Sequence, residues 1–376
     1  MATTSSLPKH IPHDSVTIRH HASSSIQHGL IKPTFLPPGI PVKPLDIDQL
    51  HKSIQQYGPI LNLHPDEQFV NTSIEDFLQH STLVDNQTKS RIKAPHPDDL
   101  PQHGTNSQYY LEVDLVVKPG HFATAKAYVH AFWQPGIPYT DLQFWFFNAY
   151  NGPGTAHITG LMMDTASHSG DVNLAPMGEH WGDWEMCMVR IDNTTQRMTG
   201  LWLSQHAKGQ FFSSTQLESA ISFHGTQPVI YSARNGHGNF PRPGPNPTED
   251  HKFAGVPAGV DFFIRNDCAT GGLQLDCAKK YELVSAQWLN APILTPKWLT
   301  YPFRWGPEGT SIHLNAKSVV DIVRDAAGKE LEEFLPVEVL TVLAGDILSH
   351  FVKGDINGPA SPSQHGTWNG TYPVYT

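Results

Sequence analysis

The chain has 376 residues and a formal net charge of −10, from 25 Lys and Arg against 35 Asp and Glu. This balance argues against non-specific attraction to nucleic acid or to an anionic membrane surface. The 31 prolines and 30 glycines, with only 16% charged residues, favour short strands joined by turns over a long helical bundle.

The first segment, residues 1–45, is rich in Ser, Pro and His and has few large apolar residues, so we predict a mobile arm. Its irregularly spaced histidines leave a metal-binding tract open as an alternative. The segment has no apolar core typical of a signal peptide, and no apolar run in the chain reaches the roughly 18 residues of a spanning helix. We therefore expect a soluble protein without a transmembrane segment, either cytoplasmic or peripheral.

Short elements follow the arm. Residues 57–67 predict an apolar strand that ends at a proline turn. Residues 73–80 predict a helix, because Ser73 can cap it and acidic residues occupy its first turn. A charged loop is expected from there to about Gly104.

From Gln108 to Trp288 apolar and polar residues alternate with a period of two, which is typical of strands. The predicted strands cover residues 109–117, 124–133, 141–147, 184–192, 199–206, 228–232 and 281–288. The pattern predicts an all-β fold, an antiparallel β sandwich with peripheral helices, in a domain at residues 46–310. Residues 311–376 are expected to add two C-terminal helices docked on the sandwich, and a tail.

Three cysteines, Cys187, Cys268 and Cys277, match no zinc module or disulfide framework. We interpret them as buried thiols. A disulfide between Cys268 and Cys277 is the alternative.

The segment from Gly178 to Glu185 contains the most unusual group of charges. In a strand, Asp183 and Glu185 point to the same face, about 6.6 to 7 Å apart. Two such carboxylates need a cation, a shared proton or a nearby base, and glycines could let His180 turn towards the same point. The alternative is structural, with Asp183 capping a turn and Glu185 paired to Arg190 or Arg234.

Two further segments end in polar loops. In residues 231–241 a strand leads to His237, which lies between two glycines in a loop able to present its imidazole. In residues 144–154 an apolar strand is followed by Asn148 and Asn151, either of which could supply a neutral oxygen to a cation. The predicted ligand-contacting residues are Trp181, Tyr231, Arg234 and His237, around a cleft also lined by Trp145.

These segments, in their order along the chain, resemble the Vps62 family, named for a link to vacuolar protein sorting. The resemblance rests on residues 57–67, 144–154, 178–185, 231–241 and 298–307, and covers about residues 55–310. It implies that the main domain is Vps62-like.

The central motif also resembles the heptapeptide G-H-R-H-D-W-E of necrosis-inducing cytolysin-like proteins, which implies a β sandwich with a divalent cation. His180, Asp183 and Glu185 match the ligands of that motif, and Asn151 is the best match for the remaining one. Gly182 replaces the second histidine and Trp181 the arginine, so the resemblance does not extend to cytolytic activity.

Three functional hypotheses follow. The first is a binding protein whose cation, Ca²⁺, Mg²⁺ or Mn²⁺ rather than Zn²⁺, helps to recognise an oxygen-rich ligand such as a lipid headgroup, a glycan or a small metabolite. The second is an enzyme in which Asp183, Glu185 and His237 perform metal-assisted or acid–base chemistry, such as hydrolysis or cyclisation of a small molecule. The third makes the cation a structural link within the sandwich.

Overall fold

A computed structural model describes residues 29–105, 107–163, 166–176, 178–206, 208–247, 261–289, 293, 295–307 and 359–375. The arm up to residue 28 and the two predicted C-terminal helices lie outside these residues. The predicted limits of the arm (1–45), the sandwich domain (46–310) and the C-terminal helices and tail (311–376) therefore stay predictions. Within residues 29–45 the chain forms a short strand, and Leu45 is buried.

Strands form most of the regular structure of the described residues. In chain order they are β1 (Gly29–Ile31), β2 (Ile60–Asn62), β3 (Ser81–Asp85), β4 (Arg91–Lys93), β5 (Tyr109–Val113), β6 (Ala127–Phe132), β7 (Tyr139–Asn151), β8 (Thr155–Met163), β9 (Ala166–Asn173), β10 (His180–Asp192), β11 (Met198–Gln205), β12 (Lys208–Ser213), β13 (Ser222–His224), β14 (Gln227–Ser232), β15 (Asn239–Phe240), β16 (Asp261–Arg265), β17 (Gln274–Asp276), β18 (Tyr281–Ala286) and β19 (Tyr372–Val374).

The strands form four sheets. The largest has the order β1-β19-β12-β11-β10-β7-β6-β18, and its centre is the long antiparallel pair β7 and β10. A second sheet, β13-β14-β2-β17, carries β15 beside β14, and two three-stranded sheets have the orders β4-β3-β5 and β16-β8-β9. Parallel pairing joins β2 to β14, β6 to β18 and β12 to β19, so the two larger sheets are mixed, whereas both three-stranded sheets are antiparallel.

The largest sheet is apolar on both faces, which gives the sandwich its two cores. On one face, Phe144, Phe146 and Cys187 pack with residues of the second sheet such as Leu61 and Ile230. Trp145, Phe147, Trp184 and Met186 point to the other face and pack with Leu83 and Leu111 of β3 and β5. Because successive side chains of a strand point to opposite faces, a central strand covered on both sides needs a continuous apolar run. The predicted all-β sandwich is confirmed.

Three helices pack around the sheets in the described part of the chain: α1 (Ile47–Tyr57), α2 (Ile74–Gln79) and α3 (Ser214–Ala220). The prediction of α2 is confirmed, with the Ser73 side chain accepting a hydrogen bond from the Asp76 N–H. Helix α1 was not predicted, although Asp46 and Gln49 form a capping box and Leu50, Ile54 and Tyr57 bury one face.

Some predicted boundaries were wrong. The segment expected to be a loop up to Gly104 contains β3 and β4, which pair with each other as an antiparallel hairpin. The strand expected over residues 109–117 ends at Val113, because Asp114 caps a 3₁₀ turn at Leu115–Val117 that leaves Leu115 and Val116 exposed. All three cysteines are free and buried, so the alternative disulfide does not form.

Candidate functional site

Strand β10 begins with the motif that the sequence singled out. Asp183 lies opposite Asn148 of β7, and His180 lies opposite Asn151. Gly182 has φ +63°, and a Cβ atom there would come within 2.6 Å of the Trp305 Cβ. A side chain at position 182 therefore meets both backbone strain and a packed tryptophan, which is the physical reason for a glycine.

Asp183 and His237 form the central contact of the site. The His237 Nδ1 lies 2.7 Å from Asp183 Oδ2, and its Nε2 lies 3.8 Å from Glu67 Oε2. The imidazole is 2% exposed. Burial disfavours its charged form, but the hydrogen bond to Asp183 and the nearby Glu67 outweigh that effect and raise the pKa of His237 to about 10. The ring therefore lies as a buried cation between two carboxyl groups.

Glu67 is fixed by the backbone as well as by His237. Its Oε1 accepts the Phe69 N–H at 2.8 Å, and its Oε2 accepts the Asn235 N–H at 2.7 Å. Burial would raise the pKa of Glu67, but His237 and these two amides together lower it. Glu67 is thus an ionised carboxylate with several hydrogen-bond donors.

A tight turn places His237 between Asp183 and Glu67. Asn235 and His237 both have positive φ, 68° and 54°, and the His237 N–H donates to the Ala233 carbonyl. The turn joins β14 to β15, which pair at Tyr231 and Phe240. The predicted loop that presents the His237 imidazole is therefore present, and it points into the sandwich rather than to solvent.

Glu185 lies where β10 and β11 separate. Their regular pairing ends at Cys187 and Leu203, and beyond it the Met186 N–H donates to the Ser204 hydroxyl at 3.2 Å. The Asn239 amide fills the gap by donating to the Met186 carbonyl at 3.2 Å. Ser204 donates in turn to Glu185 Oε2. Burial, and then the charge of Asp183, raise the pKa of Glu185 well above its usual value.

Beside Glu185 is a cavity of about 350 Å³ on the tryptophan side of the largest sheet. Three indoles form its apolar walls, Ser204 and two histidines add polar groups, and Glu185 borders it from a strand position whose side chain starts on the opposite face, beside Phe146. The lining residues used below are Trp145, Trp184, Glu185, Trp202, Ser204 and His365. The Trp184 Nε1 is buried and has no hydrogen-bond partner. A buried N–H donor without a partner is costly to the fold.

The structure brings together some of the predicted site residues and separates others. It brings Asp183 into contact with His237, and Glu185 lies near enough for the charges of both to act on its pKa. Trp181 packs edge-on against Tyr150, and Tyr231 lies in a small apolar cluster with Phe240, so neither lines the cavity. Arg234 is exposed. Arg190 pairs with Asp141 at 2.7 Å, so it is not the partner of Glu185.

The four predicted metal ligands do not converge in this arrangement. His180 Nδ1 lies 2.9 Å from the Gly182 carbonyl oxygen, and the Asn151 amide donates to the Gly178 carbonyl at 2.6 Å. Among the described residues no group of three or more His, Cys, Asp or Glu side chains is placed to hold a metal ion. Cation binding therefore stays a prediction, and we derive no chemistry through a metal.

Four residues of the site were not predicted: Glu67, Ser204, Asn239 and His365. Glu67 belongs to the segment 57–67 that carries part of the family resemblance, but only the fold places it against His237. His365 lies in the C-terminal tail, far from every motif, and no sequence signal marks it.

Comparison with known proteins identifies a family. The family model described as vacuolar protein sorting-associated protein 62, Vps62, matches residues 41–371. Comparison with curated proteins returned no match. No helix among the described residues is long and apolar enough to cross a membrane.

Several solved structures are similar over about half of the chain. One, titled "NLPPya in complex with glucosamine", is 14% identical with a TM-score of 0.29, and the match covers 54% of this chain and 72% of that one. Another is a necrosis and ethylene inducing protein from the causal agent of cocoa's witches' broom disease, 16% identical with a TM-score of 0.28 and the same coverage. At these scores the similarity carries no argument about function.

Proposed function

The chain belongs to the Vps62 family, and we propose that it binds a small, mainly apolar organic molecule with a polar edge in the cavity beside Glu185. The observation that carries this proposal is the lining of the cavity by Trp145, Trp184 and Trp202, with the Glu185–Ser204 pair at its edge. Among the ligand classes that the sequence left open, this lining favours a small metabolite over a lipid headgroup or a glycan.

The size and chemistry of the cavity support this choice. Small-molecule sites commonly have volumes of about 300–1,000 Å³ and combine apolar walls with a few polar groups. Here, indole faces can stack on a planar ligand, and Ser204 and His365 supply polar groups at its edge.

An acid–base enzyme is the second candidate, and the state of Glu185 favours it. A carboxyl group with a raised pKa keeps its proton to higher pH, which is how buried Glu residues act as general acids. The carboxylate left behind would be flanked by Asp183 and, beyond it, by the His237 cation, whose charge offsets part of the repulsion. Asp183 and His237 are in this case positioning residues, because they do not line the cavity.

Fluorescence titration with 4-nitrophenol, a planar phenol that quenches tryptophan, tests the binding proposal. We expect saturable quenching of the wild-type chain and at least about tenfold weaker binding in Trp184→Phe, which replaces one indole wall of the cavity by a smaller ring. Trp298→Phe is the matched control, because Trp298 stacks on Trp184 at 5.3 Å but does not line the cavity.

Equal affinity in all three chains, or quenching that never saturates, would contradict the proposed site. Phosphocholine and methyl glucoside are titrated in parallel as a lipid headgroup and a sugar. Tighter binding of either one would replace the small metabolite by that ligand class.

A further inference from the structure

The C-terminal tail contributes a histidine to the same cavity, and this residue has no role in the site described so far. His365 lies between two 3₁₀ turns, Pro362–Gln364 and Gly366–Asn369, and lines the cavity with Trp145 and Glu185. Its ring centroid is 5.3 Å from that of Trp145, with an angle of 55° between the planes. The imidazole therefore borders the space in which a ligand stacked on Trp145 would lie.

The hydrogen bond of His365 assigns its tautomer. Nε2 lies 3.0 Å from the Ala360 carbonyl oxygen. A carbonyl oxygen only accepts, so Nε2 carries the proton and Nδ1 of the neutral ring has a free lone pair. Burial lowers the pKa of His365, partly offset by the bond to Ala360, so the ring stays neutral near pH 7.

The tail that carries His365 is anchored to the rest of the fold on both sides of it. The Trp305 Nε1 donates to Ser361 Oγ at 2.9 Å, and the Gln143 amide donates to the Thr367 carbonyl at 2.7 Å. Trp368 stacks on His130 with ring centroids 3.6 Å apart. These contacts fix the position of the imidazole relative to the cavity, which a general base requires.

The cavity thus offers a proton acceptor on the tail beside its apolar walls. We infer that His365 is a general base that removes a proton from the molecule bound against the tryptophans. This inference rests on the proposed binding site. It names the substrate class as a neutral, planar molecule with an acidic C–H or O–H group.

A model reaction tests the base without knowledge of the natural substrate. In 5-nitrobenzisoxazole a base removes the ring C–H proton, the electron pair of that bond forms a nitrile, and the N–O bond breaks to leave a coloured phenolate. No oxidant or other co-reactant is needed. The increase in absorbance measures the rate with the full-length chain.

His365→Gln is the informative variant, because the glutamine amide can keep the donor to Ala360 while the base is lost. We expect the wild-type chain to exceed free imidazole at the same concentration, and His365→Gln to be about a hundredfold slower, within the usual range for proton-transfer catalysis. His224→Gln, at an exposed position of β13, should match the wild type.

An unchanged rate in His365→Gln would overturn the inference. A wild-type rate no higher than that of free imidazole would also overturn the inference. If 4-nitrophenol still binds saturably in that case, the proposed binding function survives. Absence of saturable binding overturns both. ¹⁵N NMR of the histidine rings in the wild-type chain provides a check that needs no variant: protonation of His365 at Nδ1 instead of Nε2 would contradict the assigned base.

Discussion

The His237 Nδ1 lies 2.7 Å from Asp183 Oδ2, although 54 residues separate them in the chain. This contact places a buried cation beside the carboxylates of β10, where the sequence predicted a divalent ion. The charge of Asp183 can therefore be offset by the chain itself.

Replacing His237 by glutamine should destabilise the fold in a pH-dependent way. The folded-state pKa of His237, about 10, is above its ordinary value of 6.5, so its stabilisation is fully present below pH 6.5 and is lost as pH rises through 10. Loss of one member of a buried ion pair typically costs about 3–5 kcal/mol. We expect this difference from wild type in urea unfolding at pH 6, and a clearly smaller one near pH 10. The same difference at both values would exclude a charged His237.

Glu185→Gln should stabilise the fold at neutral pH while removing the acid. Since the pKa of Glu185 is raised in the folded state, the wild-type chain loses stability as pH rises above the ordinary value of 4.5. Glutamine has no ionisable group, so the variant does not lose this stability. The thermal midpoint of the variant relative to wild type should therefore rise from pH 4 to pH 7. A pH-independent difference would mean that Glu185 is ionised in the fold.

Glu67→Gln should instead destabilise the fold at neutral pH. The pKa of Glu67 is lowered in the fold, so its stabilisation is present above pH 4.5 and is lost as pH falls through the folded value. The glutamine removes a charge from the His237 pair, and its amide cannot accept the two N–H groups as the carboxylate does. We expect the variant to be less stable by about 1–3 kcal/mol at pH 7 and closer to wild type at acid pH. Comparable losses at pH 7 and at pH 3 would count against an ionised Glu67.

Gly182→Ala tests why this chain has a glycine where the heptapeptide of necrosis-inducing cytolysin-like proteins has its second histidine. Gly182 and Gly225 share φ +63°, but a Cβ at 182 would collide with Trp305, whereas the space around Gly225 is open. Gly225→Ala should cost about 1 kcal/mol for the left-handed backbone alone, and Gly182→Ala about 1–3 kcal/mol more for the collision. Equal losses of unfolding free energy would show that Trp305 moves aside freely.

Divalent cations should affect the wild-type chain less than a chain without His237. In His237→Ala the carboxylates lose their cation, so we expect added Ca²⁺ to raise its melting temperature while EDTA leaves the wild type unchanged. Metal analysis of the purified wild-type chain accompanies the melting curves. A bound ion whose removal lowers the wild-type melting temperature would instead support the cation predicted from the heptapeptide.

Much of the fold was predictable, because period-two alternation reports directly which face of a strand is buried. Four of the seven strands predicted between Gln108 and Trp288, at 124–133, 199–206, 228–232 and 281–288, lie within three residues of their observed limits. The first was predicted four residues too long because a 3₁₀ turn also starts with apolar residues, and those at 141–147 and 184–192 were predicted too short because β7 extends to Asn151 and β10 starts at His180. Helix α1 was missed because its apolar positions are few and lie in a polar segment.

The sequence by itself determined that Asp183 and Glu185 share a face of one strand, since that follows from the geometry of any strand. It also identified His237 as a presented imidazole and the Vps62 family as the relative. Only the tertiary structure decided what surrounds these groups. Glu67 and Ser204 reach them, and His365 reaches the cavity beside them, through sheet pairings and tail contacts between residues far apart in the chain, and no local pattern encodes such distances. The carboxyl groups that those contacts bring against His237 outweigh its burial and raise its pKa, whereas burial and the charge of Asp183 raise the pKa of Glu185.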